Sequence, residues 1–166
     1  MSAPKNPKAV IVLGVHRSGT SAIAGALALL GFHPGANLLP AVAGVNDNGF
    51  FEDQRVVGLN DEILALCDQD WRWPLSLPAD WQSLPEIAPL RKRARALLVE
   101  QNGHHRWLLK DPRMCQTLPL WLAELDALGV SPHLLLVVRD AKEVAASLNK
   151  RDALAAPIAE SLWLNH

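Results

Sequence analysis

The sequence predicts an α/β fold in three layers, a central parallel sheet flanked by helices. Three observations carry the prediction. Ala9-Val10-Ile11-Val12-Leu13 and His133 to Val138 are continuous apolar runs, the pattern of parallel strands buried on both faces. A glycine-containing break follows the first run, and a helical pattern follows the break. The same strand-then-helix order returns near residues 107 and 133, which implies right-handed crossovers.

Taken in order, the first strand ends at Gly14, and Thr20-Ser21 open an Ala/Leu-rich helix that Gly31 closes as a C′ residue. Residues 33–50 are rich in Gly, Pro and Asn and read as a loop. A helix is expected over about 51–67, with Val56, Leu59, Ile63 and Leu66 on one stripe. Residues 68–85 look irregular, and a basic amphipathic helix covers roughly 86–101. Trp107-Leu108-Leu109 is a short strand ending at Lys110-Asp111-Pro112-Arg113, with a helix near 117–128. The third strand, expected to be buried, ends at Arg139-Asp140 and feeds a helix near 141–149.

A last helix is expected over 155–164, and the chain stops inside it. An open α/β sheet usually carries more than three strands, so a single domain over residues 1–166 that lacks a C-terminal portion is expected.

Composition sets bounds on function. The chain has 166 residues, 49% hydrophobic and 20% charged, which suits one globular domain. A net charge of −1 gives no global basic field, so nucleic acid is not the expected partner. Two cysteines, Cys67 and Cys115, cannot build a disulfide framework and read as buried small hydrophobes. The N-terminal Met1–Lys8 stretch is polar and unlike a leader, and the apolar run Ala22–Phe32 is short of the roughly 20 residues that span a bilayer. A cytoplasmic protein is the expectation.

The chemistry is concentrated in Gly14-Val15-His16-Arg17-Ser18-Gly19-Thr20-Ser21. Gly14 and Gly19 have the spacing of a Walker A loop, whose backbone N–H groups wrap phosphate oxygens at a helix N-terminus. The fold is therefore expected to be P-loop-like. Thr20 stands where that motif has lysine, which weakens an ATPase or kinase reading. Arg17 instead puts a forked, permanent cation inside the loop. At the third strand end, Arg139 precedes Ser147 by eight residues, about two helical turns, and the two could grip a further phosphate.

Together these segments resemble the sulfotransferase family. His16-Arg17-Ser18-Gly19-Thr20-Ser21 is similar to that family's 5′-phosphosulfate loop, and Arg139 with Ser147 to its 3′-phosphate site. Asn48-Gly49-Phe50-Phe51-Glu52-Asp53 and Leu109-Lys110-Asp111-Pro112-Arg113 look like segments of bacterial members. The resemblance implies 3′-phosphoadenosine 5′-phosphosulfate (PAPS) as donor, no metal, and transfer of a sulfuryl group to a hydroxyl or amine. By position, Arg17, Ser18, Gly19, Thr20 and Ser21 would hold the 5′-phosphosulfate, and Arg139 and Ser147 the 3′-phosphate.

For catalysis, Arg17 is the first candidate for charge at the bridging oxygen and Lys110 the second; Lys110 could equally be a salt-bridge partner. Many cytosolic relatives carry a histidine two residues after this lysine, where Pro112 stands here. Other branches use a glutamate, so Glu52 is the matching base, with Asp53 and Asp111 behind it. The acceptor, whether glycan, lipid or small metabolite, and the oligomeric state are not specified. Two other readings stay open: a P-loop small-molecule kinase, and a non-catalytic nucleotide-binding module or fragment. Three further features suggest structure more than function. Arg91, Lys92, Arg93 and Arg95 read as a solvated helix face, Trp71, Trp73 and Trp81 as core or loop filling, and His104-His105 as a surface turn.

Overall fold

The computed structural model describes residues 8–73 and 75–166; the polar segment 1–7 lies outside the described residues. The chain is α/β, with a three-stranded parallel sheet flanked by helices. β1 (Lys8–Leu13) is central, between β2 (Arg106–Lys110) and β3 (His133–Leu136). Val10 pairs with Leu108 on one side and His133 on the other, so all three strands point their carboxyl ends the same way.

Strand alternation divides the two faces of β1. Ala9, Ile11 and Leu13 face a core shared with α2 (Gln54–Leu66), α3 (Ile87–Gln101) and α4 (Met114–Ala127). Val10 and Val12 face α1 (Thr20–Leu29), where Ala24 is buried and Ile23 and Leu27 pack beside it. A third cluster joins Val15 of the first loop to α5 (Ala141–Asp152) and α6 (Ala156–Asn165) through Val144, Leu148 and Leu162. The five residues Ala9–Leu13 are buried because both faces are covered, as their unbroken apolar run requires.

β3 departs from expectation. It ends at Leu136, two residues short of Val138, and it is exposed: Leu136 retains 60% and Val138 67% of its accessible surface. Composition alone could not separate this strand from β1. β3 is at the sheet edge, and β1 is the only element with which it makes extensive contact among the described residues.

Helix boundaries moved for identifiable reasons. α2 starts at Gln54 because Phe51 has φ 56 and Asp53 is the N-cap, its carboxylate accepting from Arg55 N at 3.0 Å. α4 starts at Met114, three residues early, and tolerates Pro119 in its interior. The basic residues of α3 are tied down more than a solvated face would be. Arg91 and Arg95 both bind the buried Glu124 of α4, and Arg93 binds Glu62 of α2. Trp81 is buried and Trp73 is 53% exposed. In the expected surface turn, His104 stacks on His33 at 3.7 Å. No helix among the described residues is long and apolar enough to cross a membrane.

Candidate functional site

The loop between β1 and α1 sits at the carboxyl ends of the strands, where a parallel sheet presents its crevice. Gly14 has φ 143, and a Cβ there would lie 2.5 Å from the Val137 carbonyl oxygen and 2.8 Å from Ser18 Oγ. The loop can therefore turn this tightly against the end of β3 only without a side chain. Gly19, at φ 98, caps α1 without contributing a side-chain bond, so no side chain caps the N–H groups that open the helix. Arg17 adopts φ 70, the left-handed region that favours glycine, and such strain concentrates at ligand sites.

Side chains from distant elements hold Arg17. Its Nε donates to Ser147 Oγ of α5 at 2.8 Å, and its Nη1 to the Val45 carbonyl at 3.2 Å. Arg139 Nη1 donates to the Arg17 carbonyl at 3.3 Å, while its Nε pairs with Glu143 at 2.8 Å. Thus Ser147 and Arg139 come together through Arg17 rather than by bonding each other. Burial, then the Arg151 charge, holds the Arg17 guanidinium below its ordinary value, with Asp152 opposing and Arg139 adding to the effect.

At the end of β2, Lys110 Nζ donates to Ser21 Oγ at 3.1 Å and to the Phe50 carbonyl at 3.2 Å, and forms a short buried ion pair with Glu52. Lys110 and Glu52 are both buried. Burial pushes the Glu52 carboxyl above the usual carboxylate range, against the pull of Lys110. Lys110 is therefore a salt-bridge partner, and it also lines the crevice.

These groups surround one cavity of about 420 Å³. Arg17, Gly19, Thr20 and Ser21 line it from the loop, and Glu52, Lys110 and Arg139 from the other elements. Ser18 and Ser147 are not among its lining residues; the Ser18 hydroxyl donates to the Val15 carbonyl at 2.7 Å and braces the loop from beneath. The two other carboxylates considered as bases are held elsewhere. Asp53 caps α2 and binds Arg55 at 2.7 Å. Asp111 is fully buried, accepting from Asn60 at 2.7 Å and from Arg113 Nη1 at 2.9 Å. Neither lines the cavity.

Among the lining residues to which sequence reasoning assigned no site role are His16, Trp71, Arg113 and Arg151. Trp71 lies 4.4 Å from His16, with Arg72 and Arg151 over its ring at 4.9 and 5.6 Å. Only the strand-end position of Arg113 and the motif position of His16 were available as signals. Neither cysteine is fully buried: both are half-buried. Cys115 Sγ accepts from Gly14 N at 3.2 Å, and burial pushes its thiol up to about 11.

The arrangement can hold a polyanion, since the cations Arg17 and Arg139 and the buried Lys110–Glu52 pair line the same cavity. Among the described residues no group of three or more His, Cys, Asp or Glu is placed to hold a metal ion. No family model, curated protein or solved structure matches the chain.

Proposed function

We propose that this chain is a nucleotide-dependent sulfotransferase domain that binds PAPS and transfers its sulfuryl group to an acceptor hydroxyl or amine. The observation that carries the reading is the joining of Arg17, Ser147 and Arg139 by hydrogen bonds beside a glycine-cornered loop. A donor with phosphates on both its 5′ and 3′ positions needs cations from two strand ends, and ADP or ATP does not.

In this reading the loop N–H groups and Arg17 hold the 5′-phosphosulfate. Arg139, with Ser147 orienting Arg17, meets the 3′-phosphate. Transfer is an in-line displacement in which positioning and charge stabilisation dominate. Lys110 and Arg17 stabilise charge on the leaving phosphate. Glu52 takes the acceptor proton, its proton affinity raised by burial. A glycan, lipid or small metabolite could supply the acceptor group.

Calorimetry with adenosine 3′,5′-bisphosphate, and separately with ADP plus Mg²⁺, tests the reading. Tighter binding of the bisphosphate without metal is the expected result. A preference for ADP–Mg²⁺ would refute it in favour of a kinase, and binding of neither would favour an inactive fragment.

A further inference from the structure

His16 precedes Arg17 in the loop and lines the same cavity as Arg17, Ser21 and Lys110. Its Nε2 is closed off from solvent and has no hydrogen-bond partner. Of the described residues lining the cavity, it alone has a buried side-chain polar atom left in that state. Buried polar atoms are rarely left unpaired, and one at a binding cavity is explained when a ligand supplies the partner.

Charged or titratable groups from four elements act on the ring, and Trp71 packs against it. Lys110 lies at the end of β2, Arg113 at the head of α4, Arg151 on α5 and His166 at the end of α6. Burial first, and then Arg113, His166, Arg151 and Lys110 in turn, hold the imidazole well below its ordinary value. The free chain thus keeps a neutral ring in a field set by Lys110, Arg113 and Arg151, each ion-paired to a carboxylate: Glu52, Asp111 and Asp152 in turn. Two cations of the site are already engaged: Lys110 by Ser21, Phe50 and Glu52, and Arg17 by Ser147 and Val45. An anionic oxygen is the partner that would satisfy both the nitrogen and the field.

We infer that His16 is a further donor-binding residue, whose Nε2 meets an oxygen of the sulfuryl group carried by PAPS. This rests on the sulfotransferase reading. The loop N–H groups and Arg17 hold the 5′-phosphosulfate and Arg139 meets the 3′-phosphate; His16 adds a side-chain donor for the sulfuryl oxygens. Lys110 acts on the imidazole, so the ring lies within electrostatic reach of the Lys110–Glu52 pair. An anion beside the ring favours imidazolium, so donor binding draws in a proton. During transfer the acceptor oxygen–sulfur bond forms as the sulfur–oxygen bond to the 5′-phosphate breaks. The acceptor proton goes to Glu52, and adenosine 3′,5′-bisphosphate leaves. His16 N–H stays on a non-bridging sulfuryl oxygen throughout. Trp71 packs against the ring, with centroids 4.4 Å apart.

The experiment needs no acceptor. Adenosine 3′,5′-bisphosphate and intact PAPS are titrated into the wild-type chain, His16→Leu and His16→Gln, at pH 6 and 7, in buffers of different ionisation enthalpy. Bisphosphate affinity is expected to be unchanged in all three proteins. The preference for PAPS over the bisphosphate should fall about ten-fold in His16→Leu, the scale of one charge-assisted hydrogen bond, and be largely restored in His16→Gln. PAPS binding should take up more protons in the wild type than in either variant, the 3′-phosphate's own titration being common to all three. An unchanged preference in His16→Leu overturns the inference, as does loss of bisphosphate and PAPS binding together, which would make His16 a loop brace. Failure of the wild-type chain to bind the bisphosphate is a separate result, and it overturns the functional reading along with this one.

Discussion

Replacing Lys110 by Met leaves the Glu52 carboxylate buried beside an apolar stem. The Lys110 and Glu52 side chains retain 2% and 6% exposure, so solvent screens the pair little. Removing one partner of a buried pair costs about 3–5 kcal/mol, because the remaining charge is uncompensated. For a domain of this size each kcal/mol corresponds to about 2–4 °C, which predicts a fall in Tm of roughly 6–20 °C at pH 7. The double variant Lys110→Met, Glu52→Gln should recover most of that loss, since no charge stays buried.

The pH dependence has a definite sign. Burial already raises the folded-state value of Glu52, and losing Lys110 raises it further. A raised carboxyl contributes stability that is fully present below its unfolded value, about 4.3, and is lost as pH rises through the folded value. Lys110→Met should therefore be closest to wild type near pH 4 and furthest from it near pH 8. Thermal denaturation across that range, with the double-mutant cycle, measures both effects. A loss that does not grow with pH, or a double variant no more stable than Lys110→Met, would refute the assignment of Lys110 as the counter-charge of Glu52.

Two further predictions concern the nucleotide end. Arg139→Ala should cut the preference for adenosine 3′,5′-bisphosphate over adenosine 5′-monophosphate by roughly ten-fold, the low end for a charge-assisted contact because the side chain is 43% exposed. Competition titration reads this ratio directly, and an unchanged ratio removes Arg139 from the 3′-phosphate site. Gly14→Ala places a Cβ 2.5 Å from the Val137 carbonyl at φ 143, so the loop must shift. A stability loss of about 1–3 kcal/mol by denaturant unfolding, with weakened bisphosphate binding, is expected. Wild-type stability and affinity in that variant would show that the turn is not constrained.

Much of the fold was legible in local pattern. An unbroken β-branched run, a Gly-cornered loop and an Ala/Leu helix describe β1, the loop and α1 without reference to the rest of the chain. Arg17, Lys110 and Arg139 were legible as site candidates because each sits at or just after a strand end, and parallel strand ends share one crevice. Glu52 could be named from its segment but not separated from Asp53 and Asp111. That separation needed the folded chain, in which Asp53 caps α2, Asp111 is enclosed by Asn60 and Arg113, and Glu52 alone meets the cavity.

By itself the sequence determined the layered α/β order and the glycine positions that let a loop close against β3. These depend on side-chain period and backbone freedom, which act over a few residues. Tertiary structure decided the rest. It put Ser147 on Arg17 across 130 residues, left β3 exposed at the sheet edge, and brought Trp71 against His16 with Arg151 over the Trp71 ring. The physical reason is that burial, ion pairing and an unpartnered nitrogen are properties of what packs across a residue, and sequence neighbours do not specify that.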